Sequence, residues 1–229
     1  MKGAIMQPYF FPYLGYFQLV YEVERFVFLD DVSYIKKGYI NRNSILLNGA
    51  RYEFSVAVSK VSQNRTIRNH DYVNEFTGFL KLIEQNYRKA PYFHAAMPLI
   101  EKVALDSNNN VACKNAESVK SVFEYLGVSR DFSFSSDTHL EQSCKGQDRI
   151  LALCKRLGIE KYRNAIGGKD IYSQEEFHAN DIELKFIQSN IQSYNQGKHD
   201  FVSHLSIIDM LMYCDKKTIH EHISNYSLV

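Results

Sequence analysis

Met6-Gln7-Pro8-Tyr9-Phe10-Phe11-Pro12-Tyr13-Leu14-Gly15-Tyr16-Phe17 is a stretch that no regular helix or strand can cross unbroken. Pro8 and Pro12 lack a backbone N–H and restrict the residues before them, so residues 7–13 are predicted to form a rigid loop. Before the loop, Gly3-Ala4-Ile5-Met6 reads as a short buried strand. After it, Leu14, Phe17, Leu19, Val20 and Val23 recur at helical spacing. Phe26-Val27-Phe28-Leu29 is then a second buried strand, and it runs into Asp30-Asp31. Strand, loop, helix and strand make a βαβ unit, which predicts a parallel pair. In open sheets of this class ligands collect at the carboxyl ends of the strands. The polar residues of this opening segment fall at that edge: Gln7, Asp30, Asp31, Lys36, Lys37, Asn41, Arg42 and Asn43.

The rest of the chain keeps alternating. Residues 44–60 read as a hairpin, with Asn48-Gly49 as a type I′ turn. Residues 66–73 read as a short edge strand. Phe76, Phe79, Leu80, Ile83 and Tyr87 mark an amphipathic helix that Pro91 ends. Tyr92-Phe93 opens another, broken by Asn108-Asn109-Asn110, and a third reaches Leu126 with Gly127 as its cap. Strands are predicted at residues 132–136, 161–166 and 183–187. A helix beginning at Asp148 lies between the first two, and Ser173 with Glu176 forms a capping box after the second. Residues 205–213 and 216–223 read as helices. The predicted fold is α/β, a mostly parallel sheet flanked by helices with a β-hairpin and a helical middle insert. Residues 1–229 are expected to form a single compact domain, with 74–130 as a helical subdomain or lid.

Composition narrows the function classes. Hydrophobic residues make up 45% and charged residues 23%, an ordinary globular balance. The 27 basic and 26 acidic residues leave a net charge of +1, without the broad basic footprint of a nucleic-acid binder. No nucleic-acid partner is expected. Cys113, Cys144, Cys154 and Cys214 form no CxxC pair. With no secretory leader and no apolar run of spanning length, the expectation is a cytoplasmic protein without membrane insertion. His220 and His222 alternate, and His199 and His204 flank Phe201, but there is no HExxH and no Cys/His quartet, so no metal is expected. No G-x-S-x-G elbow appears, and Cys154 falls on an apolar stripe.

The chain resembles the WbqC-like family of bacterial proteins. The likeness runs through Gln7-Pro8-Tyr9, Pro12, Gly15-Tyr16-Phe17, Asp30-Asp31-Val32, Tyr34, Lys36 and Asn41-Arg42-Asn43. It resumes at Tyr92-Phe93, at Gly167-Gly168 with Tyr172 and Phe177, and at Phe201 with Leu205-Ser206-Ile207-Ile208-Asp209. The resemblance implies a role in O-antigen or other surface-polysaccharide biosynthesis, on glycine-containing or otherwise acylated amino-sugars. Residues 5–31 are also remotely similar to the nucleotidylyltransferase and pantothenate-synthetase type of fold. There a Gly-His pair opens the first helix; here Gly15-Tyr16 stands in its place, and a tyrosine cannot supply an imidazolium.

Several residues suggest chemistry, each beside a plainer alternative. Asp30 and Asp31 suit the binding or deprotonation of an amine, or an Asx turn. Lys36 and Arg42 suit phosphate, or ion pairs with the nearby acids. Gly167-Gly168-Lys169 suits a phosphate-cradling loop, or a plain strand-to-helix turn. Ser206 and Asp209 suit a helix cap, with Asp209 alternatively turned to the site. The expected enzyme moves an acyl or aminoacyl group, glycyl included, onto an amino-sugar nucleotide or related amine. Its catalytic candidates are Asp30, Asp31 and Lys36. Its binding candidates are Gln7, Tyr9, Tyr16, Tyr34, Asn41, Arg42, Asn43, Gly167, Gly168 and Asp209. ATP is the candidate cofactor, a nucleotide-sugar the candidate partner and a homodimer the candidate assembly. The alternative is a non-catalytic binding or assembly protein of the same pathway.

Overall fold

The structure is a computed structural model and describes residues 1–140, 144–198 and 200–229. His199 therefore lies outside the described residues. The first unit is as read: β1 (Lys2–Met6), α1 (Leu14–Glu22) and β2 (Arg25–Phe28). A hairpin of β3 (Arg42–Leu47) and β4 (Ala50–Ser55) follows, then α2 (Thr77–Tyr87), α3 (Phe93–Leu105) and α4 (Val111–Leu126). The second half runs β5 (Asp131–Phe134), α5 (Gly146–Leu157), β6 (Lys161–Ala165), α6 (Gln174–Ala179), β7 (Glu183–Ser189), α7 (Ile207–Tyr213), α8 (Lys216–Ser224) and β8 (Tyr226–Leu228).

The main sheet has the order β5-β2-β1-β6-β7-β8. Every neighbouring pair is parallel except β7 with β8. Strand order thus reverses at β1, with β2 and β5 on one side and β6 to β8 on the other. The parallel strands must be apolar on both faces, because helices cover both. Ala4, Phe26 and Phe28 face a core shared with α1, α4, α7 and α8. Ile5, Val27, Tyr162, Leu184 and Phe186 face a second core built on α5 and α6. The helices α2 to α4 contribute Phe79, Ile83, Ile100, Val119 and Phe123 to the first of these cores. Residues 74–130 therefore pack into the same apolar body as the sheet.

Two local readings change. Residues 66–73 are not a strand but a single 3₁₀ turn, Ile67–Asn69, flanked by isolated pairings of Thr66 with Ser33 and of Tyr72 with Val58. The pairing of β3 with β4 starts at Arg42 opposite Ser55, so the hairpin begins at Arg42 rather than Ser44. The closing strand β8 escaped notice because three residues, two of them exposed, carry too little pattern. The Asn48-Gly49 turn has both φ values positive, +50° and +79°, as type I′ requires.

Candidate functional site

The proline loop is set by what it bonds to. Phe11 holds a left-handed backbone at φ +42°, a strained state for a non-glycine residue, costing about 1–3 kcal/mol. Its N–H donates to Ser118 Oγ at 2.9 Å, and its carbonyl accepts from Asn43 Nδ2 at 2.7 Å and Ser206 Oγ at 2.6 Å. Asn115 of α4 donates to the carbonyls of Pro8 (3.0 Å) and Ile40 (2.7 Å), and Tyr72 OH donates to Asn115 Oδ1 at 2.7 Å. Three segments distant in sequence thereby fix the loop after β1. The prolines announced the loop; Asn115 and Ser118 are polar positions on a helix and carried no signal of their own.

Asp30 and Asp31 sit past the carboxyl end of β2, both buried, at 3% and 7% exposure. Ser136 donates to Asp30 through its N–H (3.0 Å) and its hydroxyl (2.7 Å). Ser135 Oγ lies 3.1 Å from Asp30 Oδ1 and 2.6 Å from Asp31 Oδ1, so one hydroxyl proton serves two carboxylates. Arg149 of α5 pairs with Asp31 Oδ2. Burial pushes the Asp30 carboxyl above its ordinary range, against the serine hydrogen bonds, with the Asp31 charge adding to the rise. Asp31 and Arg149 line a cavity of about 380 Å³ with Ile35, Thr66 and Lys145.

The other sequence candidates divide by what they touch. Tyr16 OH donates to the Gln7 carbonyl at 2.9 Å, inside the β1–α1 connection. Tyr34 OH donates to Asn41 Oδ1 at 2.8 Å, and Asn41 Nδ2 to the Val56 carbonyl at 2.8 Å. Arg42 uses its guanidinium on the carbonyls of Gly38 (3.0 Å) and Lys37, closing the turn before β3. Lys36 and Lys37 are exposed. Tyr9 packs between Tyr16 and Tyr39, with centroids at 5.6 and 6.1 Å, and burial raises its hydroxyl to about 12. Gly168 is close-packed: an added Cβ would meet Asn164 at 3.0 Å and Tyr172 at 3.1 Å.

A second cavity, also of about 380 Å³, opens where strand order reverses. The start of α1 supplies Tyr13, Leu14 and Gly15, the end of β6 supplies Ala165, Ile166 and Gly167, and the end of β7 supplies Ile187 and Ser189. Tyr39 of the 33–40 loop, Tyr194, Phe201, His204 and Met210 complete much of the wall. His204 holds a left-handed backbone at φ +59°. Of the sequence candidates, Gly167 lines this cavity and Asp31 lines the other.

Asp209 lies behind this wall, fully buried. It accepts from Tyr87 OH (2.8 Å), Tyr194 OH (2.7 Å) and Gln196 Nε2 (2.8 Å). Burial raises its carboxyl despite these three donors. Ser206 caps α7, accepting from the Ile208 N–H at 3.3 Å. The cap reading thus describes Ser206, while Asp209 holds tyrosines.

Among the described residues no cluster of His, Cys, Asp or Glu is placed to hold a metal, and no helix is long and apolar enough to cross a membrane. A sequence model of the WbqC-like protein family matches residues 7–221. An uncharacterized protein of Mycobacterium tuberculosis, Rv1507c, is 25% identical over 215 residues, covering 92% of each chain. No solved structure matches the chain.

Proposed function

The chain belongs to the WbqC-like protein family, and from that premise we propose that it is an enzyme of surface-polysaccharide biosynthesis, transferring an acyl or aminoacyl group to the amine of a nucleotide-linked amino-sugar. The observation that carries this reading is the cavity at the reversal of strand order, where α/β proteins of this topology take their ligands.

In this reading the donor's acyl group enters that cavity between Gly15 and Gly167. The 33–40 loop connects the two cavities, with Tyr39 in one wall and Ile35 in the other. Lys36 and Lys37 are exposed on that loop and offer point charges to the sugar nucleotide's diphosphate. Asp31 orients the acceptor amine from the wall of the cavity it shares with Arg149, and Asp30, held by Ser136, backs it. Gln7, Tyr9, Tyr16, Tyr34, Asn41, Arg42, Asn43, Gly168 and Asp209 keep the loops around both cavities in place. The amine nitrogen attacks the acyl carbon, a C–N bond forms, the donor's leaving group departs and the amine releases a proton. With ATP as activator, acyl-adenylate formation releases pyrophosphate and transfer releases AMP.

One observation favours the second reading, a non-catalytic binding protein of the same pathway. Asp30 and Asp31 already accept from Ser135, Ser136 and Arg149. A single experiment separates the two. The protein is incubated with ATP, glycine or a short fatty acid, and a nucleoside-diphosphate amino-sugar, and the sugar is weighed by mass spectrometry. Acylated sugar with pyrophosphate release is the expected result. Thermal stabilisation by the nucleotide-sugar with no product from any donor leaves the binding reading instead.

A further inference from the structure

We infer that the cavity at the reversal of strand order takes an uncharged, apolar acyl chain of medium length, and that glycyl and other charged aminoacyl groups are excluded from it. The word acyl rests on the transferase reading above; the exclusion of charge rests on the wall alone.

No Asp, Glu, Lys or Arg lines the cavity among the described residues. Leu14, Ile166, Ile187, Ile191, Phe201 and Met210 supply hydrocarbon from four separate parts of the chain. Ile166 and Ile191 are 41% and 36% exposed, so a chain entering the cavity removes them from water.

Two polar side chains of the wall, Tyr194 and Ser206, are turned to other work, while the buried Ser189 hydroxyl has no hydrogen-bond partner among the described residues. Tyr194 presents its ring, because its hydroxyl donates to Asp209 Oδ2 at 2.7 Å. The Ser206 hydroxyl donates to the Phe11 carbonyl at 2.6 Å. Asp209, a carboxylate behind this wall, is screened by Tyr194 and already accepts three hydrogen bonds. An ammonium group entering here would lose its water and gain no carboxylate. A methyl-ended chain has no such loss. Gln192 and His204 are exposed in the lining and leave polar atoms for the carbonyl end. The volume of about 380 Å³ has room for roughly a dozen water-sized groups.

Gly167 gives the test a clean handle. A Cβ added there meets nothing within 4 Å, and its backbone is not left-handed. Gly167→Leu should fill the cavity and spare the fold. Ile191→Phe, at an exposed lining position, is the second plug. The probes are octanamide and glycinamide, followed by saturation-transfer NMR and thermal shift on the full chain. Octanamide should bind and raise the melting temperature, and glycinamide should do neither. Each plug should weaken octanamide at least about tenfold while leaving the unliganded melting temperature in place. Glycinamide binding as well as octanamide overturns the inference, as does octanamide binding that neither plug affects. Failure of octanamide to bind in a chain that still makes glycylated sugar sinks this inference alone. Octanamide binding to a chain that acylates no amine sinks the transferase reading alone.

Discussion

Asp31 and Arg149 show 5% side-chain exposure each, so neither charge is solvated by bulk water. Removing one member of such a pair takes the opposite charge of the ion pair away from a buried ion, a loss of about 3–5 kcal/mol. Arg149→Met is therefore expected to lower the urea midpoint by that equivalent with an unchanged slope. Asp31→Leu combined with Arg149→Met should recover most of the loss, since the apolar pair needs no mutual compensation. A double variant as unstable as the single one would show that the pair is not the unit. At this scale the sequence was only half legible. Two adjacent acids after a buried strand are conspicuous. Ser135, Ser136 and Arg149, their partners more than a hundred positions away, look like any serine or helix arginine.

Among the elements, α4 does more than cover the sheet. Asn115 and Ser118 lie one turn apart on its buried face, and their side chains hydrogen-bond to the backbone of Pro8, Phe11 and Ile40. Asn115→Ala removes the donor to the Pro8 carbonyl, one of the donors to the Ile40 carbonyl and the closer acceptor of the Tyr72 hydroxyl, a loss of about 1–3 kcal/mol. The expected signature is local: the Phe10 amide, bonded to the Ile40 carbonyl at 3.2 Å, should exchange faster with solvent. Amides of β7 should keep their protection. Uniform loss of protection across the sheet would show α4 acting on the whole core and not on the loop. The helix itself was legible from the spacing of Ala112, Ala116, Val119, Val122 and Phe123. Its role as the loop's anchor was not, because an Asn or Ser among apolar positions does not reveal the distant backbone it will meet.

Over the whole molecule, buried acids set a pH dependence. Burial raises both Asp30 and Asp209 above 3.8, the ordinary value that the unfolded chain regains. Between that value and the folded one, the native state keeps protons that the unfolded state has released. Stability from these groups is therefore fully present below 3.8 and declines as pH rises through the folded values. His222, lowered from 6.5 by burial, acts the other way as pH falls. Comparing wild type with Asp209→Asn removes that term, since both contain His222. From about pH 4 to about pH 7, the difference in unfolding free energy between the two chains should shift in favour of the variant as pH rises. A difference independent of pH would mean that burial does not raise the Asp209 carboxyl above its unfolded value.

The amino-acid order by itself determined the alternation of strands and helices, the rigid loop after the first strand, and the hairpin turn. These depend on near neighbours: proline geometry, glycine at positive φ, and the period of apolar side chains. It also placed Gln7, Asp30 and Gly167 at one edge, because parallel strands end together. The tertiary structure alone decided that the edge holds two cavities, that Asp30 and Asp31 are clasped by distant serines and an arginine, and that the larger apolar wall is assembled from Leu14, Ile187, Phe201 and Met210. Those contacts join residues far apart along the chain, and the burial that joins them depends on how the layers pack, which no local pattern encodes.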